Sequence, residues 1–174
     1  EEQLSMYATY MSTLGNRPDL YPDSFYVDAY VNTEYEEYEV PASALSDPQF
    51  AAMMKEAEKY LGYPYVWGGS NPNTSFDCSG FVSWVVNNCG VGWNLGRLGA
   101  DSLRHTCSYV SPANAKPGDL IFFEGTYDTT GASHVGIYLG NNMMIHCGDP
   151  IQYADITSSY WQQHFLSFGR LPQP

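Results

Sequence analysis

Apolar residues recur at helical spacing in three stretches of this chain. Leu4, Tyr7, Ala8, Met11 and Leu14 predict an amphipathic helix over residues 2–14 that ends near Gly15. Pro18 and Pro22 then interrupt the chain, and residues 25–27 and 30–31 read as strand or packed loop. Phe50, Met53, Met54, Ala57, Tyr60 and Leu61 predict a helix over 48–61, capped by Asp47 or Ser46, started by Pro48 and stopped by Gly62. Phe81, Val82, Trp84, Val85 and Val86 leave almost no polar side on a helix over 78–89, which should therefore be central and buried. Residues 90–118 are rich in Gly, Pro and Ser and read as loops with a short helix near 101–105. Strand-length apolar runs follow at 120–123, 133–139, 143–147 and 166–171. Helices first and a mostly antiparallel sheet afterwards is an α+β order.

The strands permit a geometric expectation. In 133–139, His134, Gly136 and Tyr138 share one face, and Val135, Ile137 and Leu139 the other. A three-residue loop Gly140-Asn141-Asn142 pairs Leu139 with Met143, Tyr138 with Met144 and Gly136 with His146. His134 and His146 are then diagonal neighbours on one face, with Gly136 leaving room between them. A slip of one residue would separate them.

Composition narrows the function classes. The chain has 174 residues, 44% hydrophobic and 15% charged, enough for a substantial core. Seven Lys and Arg against 19 Asp and Glu give a formal net charge of −12, which excludes nucleic acid and anionic membrane as natural partners. No stretch approaches the roughly 20 apolar residues of a membrane span. Ten of the acids lie in residues 1–47, with Arg17 the one base there, so this part is expected to be an acidic extension or linker preceding a catalytic domain at 48–174. Within it, 34–39 reads as a solvated connector whose Tyr35 and Tyr38 lie on the main domain, in preference to an acidic recognition segment. The start at Glu1-Glu2-Gln3-Leu4 reads as that of a mature or truncated fragment.

The candidate chemistry centres on Cys78, at the first turn of the buried helix, where the helix dipole and unpaired N–H groups favour a thiolate. His134 is the expected general base and His146 the group that holds its tautomer. Tyr65, before Gly68 and Gly69, is placed to donate to an oxyanion beside the Cys78 N–H. A metal site built from Cys78, His134, His146 and Cys147 is disfavoured, because His146 and Cys147 point to opposite sheet faces, and no cofactor is expected. His105 and His164 read as surface or packing residues. Cys89 reads as a small apolar residue near the helix end, with a Cys89–Cys107 bridge as the alternative.

Five blocks carry a resemblance: residues 60–69 (Tyr60-Leu61-Gly62-Tyr63-Pro64-Tyr65-Val66-Trp67-Gly68-Gly69), 76–82 around Asp77-Cys78-Ser79-Gly80, 116–123 from Lys116-Pro117-Gly118-Asp119, 134–140 from His134-Val135-Gly136, and Met144-Ile145-His146. In this order they resemble the NlpC/P60 family of papain-like cysteine peptidases. The resemblance implies a circularly rearranged papain-like α+β fold and hydrolysis of bacterial peptidoglycan stem peptides, typically between D-γ-glutamyl and a diamino acid. It implies Cys78, His134 and His146 as the catalytic triad, Tyr65 at the oxyanion, and Asp77 and Ser79 as holders of the free amino terminus. Arg97 would read a substrate carboxylate. A secreted or wall-associated, monomeric enzyme is expected. An amidase or acyltransferase on the same scaffold, or an inactive wall-binding module, are the alternatives. Two departures stand out: the longer segment 124–133, expected at the cleft rim, and Cys147 beside the orienting histidine.

Overall fold

A computed structural model of the chain describes Val27 and residues 30–174. The predicted helix at 2–14 lies outside the described residues, as do Phe25 and Tyr26. Val27 is helical and buried, so the strand reading fails at that position, and residues 30–31 form no strand. Residues 31–41 have no regular structure, yet Val40 is buried in the core and the Tyr38 ring packs 5.7 Å from Tyr153.

In chain order the elements are α1 (Pro48–Ala57), β1 (Ser70–Asn71), β2 (Ser75–Phe76), α2 (Cys78–Asn88), α3 (Ala100–Thr106), β3 (Ser108–Val110), β4 (Leu120–Glu124), β5 (Ala132–Gly140), β6 (Met143–Cys147), β7 (Ile151–Asp155), α4 (Ser159–His164) and β8 (Phe165–Arg170). Asp47 caps α1 by accepting from the Gln49 and Phe50 N–H groups, ahead of Pro48. The expected run to residue 61 is shorter: α1 ends at Ala57, a single tighter turn spans Glu58–Tyr60, and Leu61 and Gly62 form a turn. The strand β7, the helix α4 and the short strands β1, β2 and β3 were not expected from the sequence.

β3 to β8 form one antiparallel sheet in the order β3-β8-β4-β5-β6-β7. Its side chains alternate between two apolar layers. Leu120, Phe122, Val135, Ile137 and Ile145 face the larger layer, with Phe50, Phe81, Val82 and Val85 from the helices. Ile121, Phe123, Tyr138 and Met144 face the smaller one, against Phe168, with Trp161 and Phe165 packed on it. The helix α2 packs on β5 and β6, buried along Phe81, Val82, Val85 and Val86 as its apolar sides require. Gly80 makes that seat possible. A Cβ there would come within 2.0 Å of the Gly69 carbonyl, so only glycine lets the helix start touch the preceding loop.

The β5–β6 hairpin keeps the expected histidine register, Gly136 opposite His146 and Tyr138 opposite Met144, but not the expected end. Met143 pairs with Gly140 rather than Leu139, and the register shifts between Tyr138 and Gly140. Asn141 and Asn142 both adopt positive φ (52° and 60°), the geometry of a tight two-residue turn, and the surplus residue is absorbed as a bulge. Because the bulge lies on the turn side of Tyr138, the pairing of the histidine-bearing positions is unaffected.

Candidate active site

Asp77 builds the first wall of the site. As the N-cap of α2 it accepts from the Gly80 N–H (2.8 Å) through Oδ1 and from the Gly68 N–H (3.0 Å) through Oδ2. Arg97, from the loop after α2, reaches back to it: Nη2 lies 2.7 Å from Asp77 Oδ1, and Nη1 donates to Ser79 Oγ at 2.7 Å. The Ser79 hydroxyl also donates to Asp77 Oδ1 (3.3 Å). The structure thus brings Asp77, Ser79 and Arg97 into one cluster, with the guanidinium as its outward, part-exposed member.

Cys78 occupies the first position of α2, where its N–H has no acceptor within the helix. Its sulfur lies 3.9 Å from the Ser133 carbonyl and accepts from the Val135 N–H, so it rests on the two peptide groups that flank His134. The side chain is mostly buried but lines a cleft of about 300 Å³, together with Tyr65, Trp67, Asp77, Arg97 and Tyr127. The expected thiolate preference is overturned at rest. Burial first, and the adjacent Asp77 carboxylate second, push the thiol up to about 11, against the weaker pull of the Val135 and Ser79 N–H groups and Arg97. The helix end favours an anion, but its own capping carboxylate already fills that place.

The histidines form the opposite wall. His134 Nε2 and His146 Nδ1 are 2.9 Å apart, and their rings meet edge to face, with centroids at 5.1 Å. Gly136 is the gap that permits this. A Cβ there would meet Met144 Sδ at 2.9 Å and His146 Cβ at 3.2 Å. Trp161, on α4, stacks over His134 (5.3 Å, 24°) and presents its edge to His146 (5.2 Å, 86°), with Phe123 behind it at 4.6 Å. Burial lowers His134 to about 4, and burial together with the neighbouring ring holds His146 well below the ordinary imidazole value. Both shifts favour the neutral imidazole. These two residues, Trp161, Tyr160, Thr126 and Asp149 line a second cleft of about 370 Å³. Tyr65 lines both clefts and so stands at their junction. Burial and the nearby Cys78 and Asp77 push its phenol upward, which keeps it a donor. Its own N–H donates to Asp149 Oδ1 at 3.1 Å.

The sequence profile of the NlpC/P60 family matches residues 62–170, which hold every one of these side chains. The chain belongs to the NlpC/P60 family. It is 47% identical over 123 residues to the bifunctional muramidase/DL-endopeptidase CwlT of Bacillus subtilis, covering 70% of this chain and 36% of that protein. It is 38% identical over 129 residues to the gamma-DL-glutamyl hydrolase of the same organism, covering 72% of this chain and 30% of that protein. The chain thus spans about a third of the length of these relatives. A crystal structure of an NLP/P60 family lipoprotein-like protein from Staphylococcus aureus superposes with a TM-score of 0.69 at 40% identity, over 82% of this chain and 45% of that one.

Within this NlpC/P60 domain, Cys147 is buried with its thiol donating to the Phe76 carbonyl (3.2 Å). All four cysteines are free, so no Cys89–Cys107 bridge forms. Cys89 is half-buried at the end of α2, its thiol on the Val86 carbonyl. His164 accepts no site role. It contacts the Glu124 carbonyl at 2.7 Å, and His105 pairs with Asp101. The segment 124–133 does rim the clefts, through Thr126, Tyr127 and Ser133. Sequence reasoning missed Trp161, Asp149 and the exposed Trp67–Tyr127 ring pair (5.3 Å), and it did not recognise Asp77 as a cap. The signal for the cap was present: an Asp three residues before Gly80 at the start of an apolar helix.

Proposed function

We propose that this domain is a cysteine endopeptidase that hydrolyses peptidoglycan stem peptides at the D-γ-glutamyl–diamino acid bond, with Cys78, His134 and His146 as its catalytic triad. The observation that supports this most is the 2.9 Å contact between His134 Nε2 and His146 Nδ1, beside a thiol seated on the backbone of His134 itself. The activities of the relatives, DL-endopeptidase and gamma-DL-glutamyl hydrolase, support this substrate class.

The chemistry follows from neutral groups. His134 donates its Nε2–H to His146 Nδ1, which leaves the Nδ1 lone pair as the base. As sulfur attacks the scissile carbonyl, the thiol proton passes to His134, so no resting thiolate is needed. The developing oxyanion meets the Cys78 N–H and the Tyr65 hydroxyl. Collapse breaks the C–N bond, His134 returns the proton to the leaving amine, and water then hydrolyses the thioester with His134 again as base. Trp161 keeps water from the imidazole pair and offers a ring face to the transient imidazolium. Arg97 reads the substrate's free carboxylate. Asp77, already accepting from Gly68, Gly80 and Arg97, meets an amino terminus only by sharing those bonds. A wall-associated, secreted setting and a monomer complete the proposal, and no helix among the described residues is long and apolar enough to cross a membrane.

Incubating stem peptides with the protein and with Cys78→Ala, followed by mass spectrometry, tests the reading. Cleavage at the γ-glutamyl bond by the native chain alone is expected. Identical peptide maps from both would leave a binding module, and release at the sugar–peptide junction would make it an amidase.

A further inference from the structure

The two clefts that meet at Tyr65 differ in charge, and this bears on the substrate. In the proposed reaction, the nitrogen that receives a proton from His134 must leave on the imidazole side of the sulfur. The cleft lined by His134 and Trp161 is therefore the leaving-group side, and the cleft lined by Cys78 and Arg97 the acyl side. The acyl side holds Arg97 paired with Asp77. The leaving-group lining holds no Lys or Arg, and Asp149 is its one carboxylate. Asp149 Oδ1 accepts the Tyr65 N–H, while Oδ2 has no hydrogen-bond partner among the described residues. Asp149 is exposed, and the rings of Tyr160 and Trp161 line the same space. A carboxylate with one oxygen free, flanked by aromatic walls, fits an aliphatic chain that ends in a primary ammonium. A side chain ending in a carboxylate would meet like charge with no cation to offset it.

We propose that the leaving-group cleft selects a diamino acid with a free side-chain ammonium, with Asp149 as its counter-ion and Tyr160 and Trp161 as the walls for its methylene stem. This rests on the endopeptidase reading above and adds the specificity that reading leaves open.

The test compares L-Ala-γ-D-Glu-L-Lys peptides bearing a free or an acetylated side-chain amine, cleaved by the native protein and by Asp149→Asn. Asparagine keeps the Oδ1 acceptor for Tyr65 and removes only the charge. The native protein is expected to favour the free amine by about fivefold in kcat/KM at low salt, the scale of one solvent-accessible ion pair, with the preference shrinking as salt is added. In Asp149→Asn the preference should vanish through a loss with the free amine alone. Equal rates for both peptides with the native protein would overturn the inference and leave the endopeptidase reading intact. An equal loss on both peptides in Asp149→Asn would make Asp149 a support for Tyr65 and nothing more. Cleavage of neither peptide would overturn both readings.

Discussion

On the α2 side of the cleft, each functional group is fixed by hydrogen bonds and charge: Asp77 by two N–H groups, Arg97 by Asp77 and Ser79, the Cys78 sulfur by the Val135 N–H. On the sheet side the histidines are fixed by ring packing under Trp161 and by a single nitrogen–nitrogen contact. The difference has a chemical consequence. Burial raises the thiol first and the opposed charges of Asp77 and Arg97 then adjust it, whereas desolvation is the one cause at His134 and is joined by the neighbouring ring at His146. The sulfur therefore answers to neighbouring charges as well as to burial, and the His134 ring to the absence of water.

The largest effect should come from cutting the one polar bond on the sheet side. His146→Ala is expected to lower kcat by about 10²-fold or more, the range of a mispositioned general base, with His146→Asn recovering part of it through a side-chain acceptor. A near-native kcat in His146→Ala would mean that packing alone orients His134. Next comes the pH profile. A lowered imidazole stays neutral to more acid pH, so kcat/KM should persist at pH 5 and fall only as pH drops through about 4. In Trp161→Ala, water reaches the ring and the acid limb should move towards 6.5, which at pH 5 costs up to roughly 30-fold. A native limb already near 6.5 would remove the contrast between the two walls. The smallest effect belongs to the charged wall. Arg97 is more than a third exposed, so Arg97→Gln should raise KM by about fivefold with kcat little changed. Should kcat fall instead, Arg97 would be acting on the thiol and not on a substrate carboxylate.

How much of this was legible in the sequence follows the same division. The Cys78 helix, its apolar sides and the shared face of His134 and His146 are local patterns of period 3.6 and 2, and they were readable. The hairpin end was misread because Asn141 and Asn142 both accept left-handed backbone, which turns an expected three-residue loop into a two-residue turn with a bulge. The strand β7 was readable in principle from Ile151, Tyr153 and their polar neighbours. Trp161 was not, because α4 has six residues, no buried side and no side-chain cap, and the ring matters only through contacts that β4, β5 and β6 bring to it. The thiol's acidity was misjudged for a related reason. The helix terminus is visible in a sequence, but burial and the reach of the Asp77 charge are properties of the assembled site.

The seat of Cys78 also governs how the protein meets its surroundings. A thiol held at about 11 leaves a fraction on the order of 10⁻⁴ ionised at pH 7. Alkylating reagents and peroxide attack the ionised sulfur, so between encounters with substrate this residue is a sluggish target for both. A site built this way keeps its sulfur quiet at rest, so its reactivity is expected to depend on a base that takes the thiol proton.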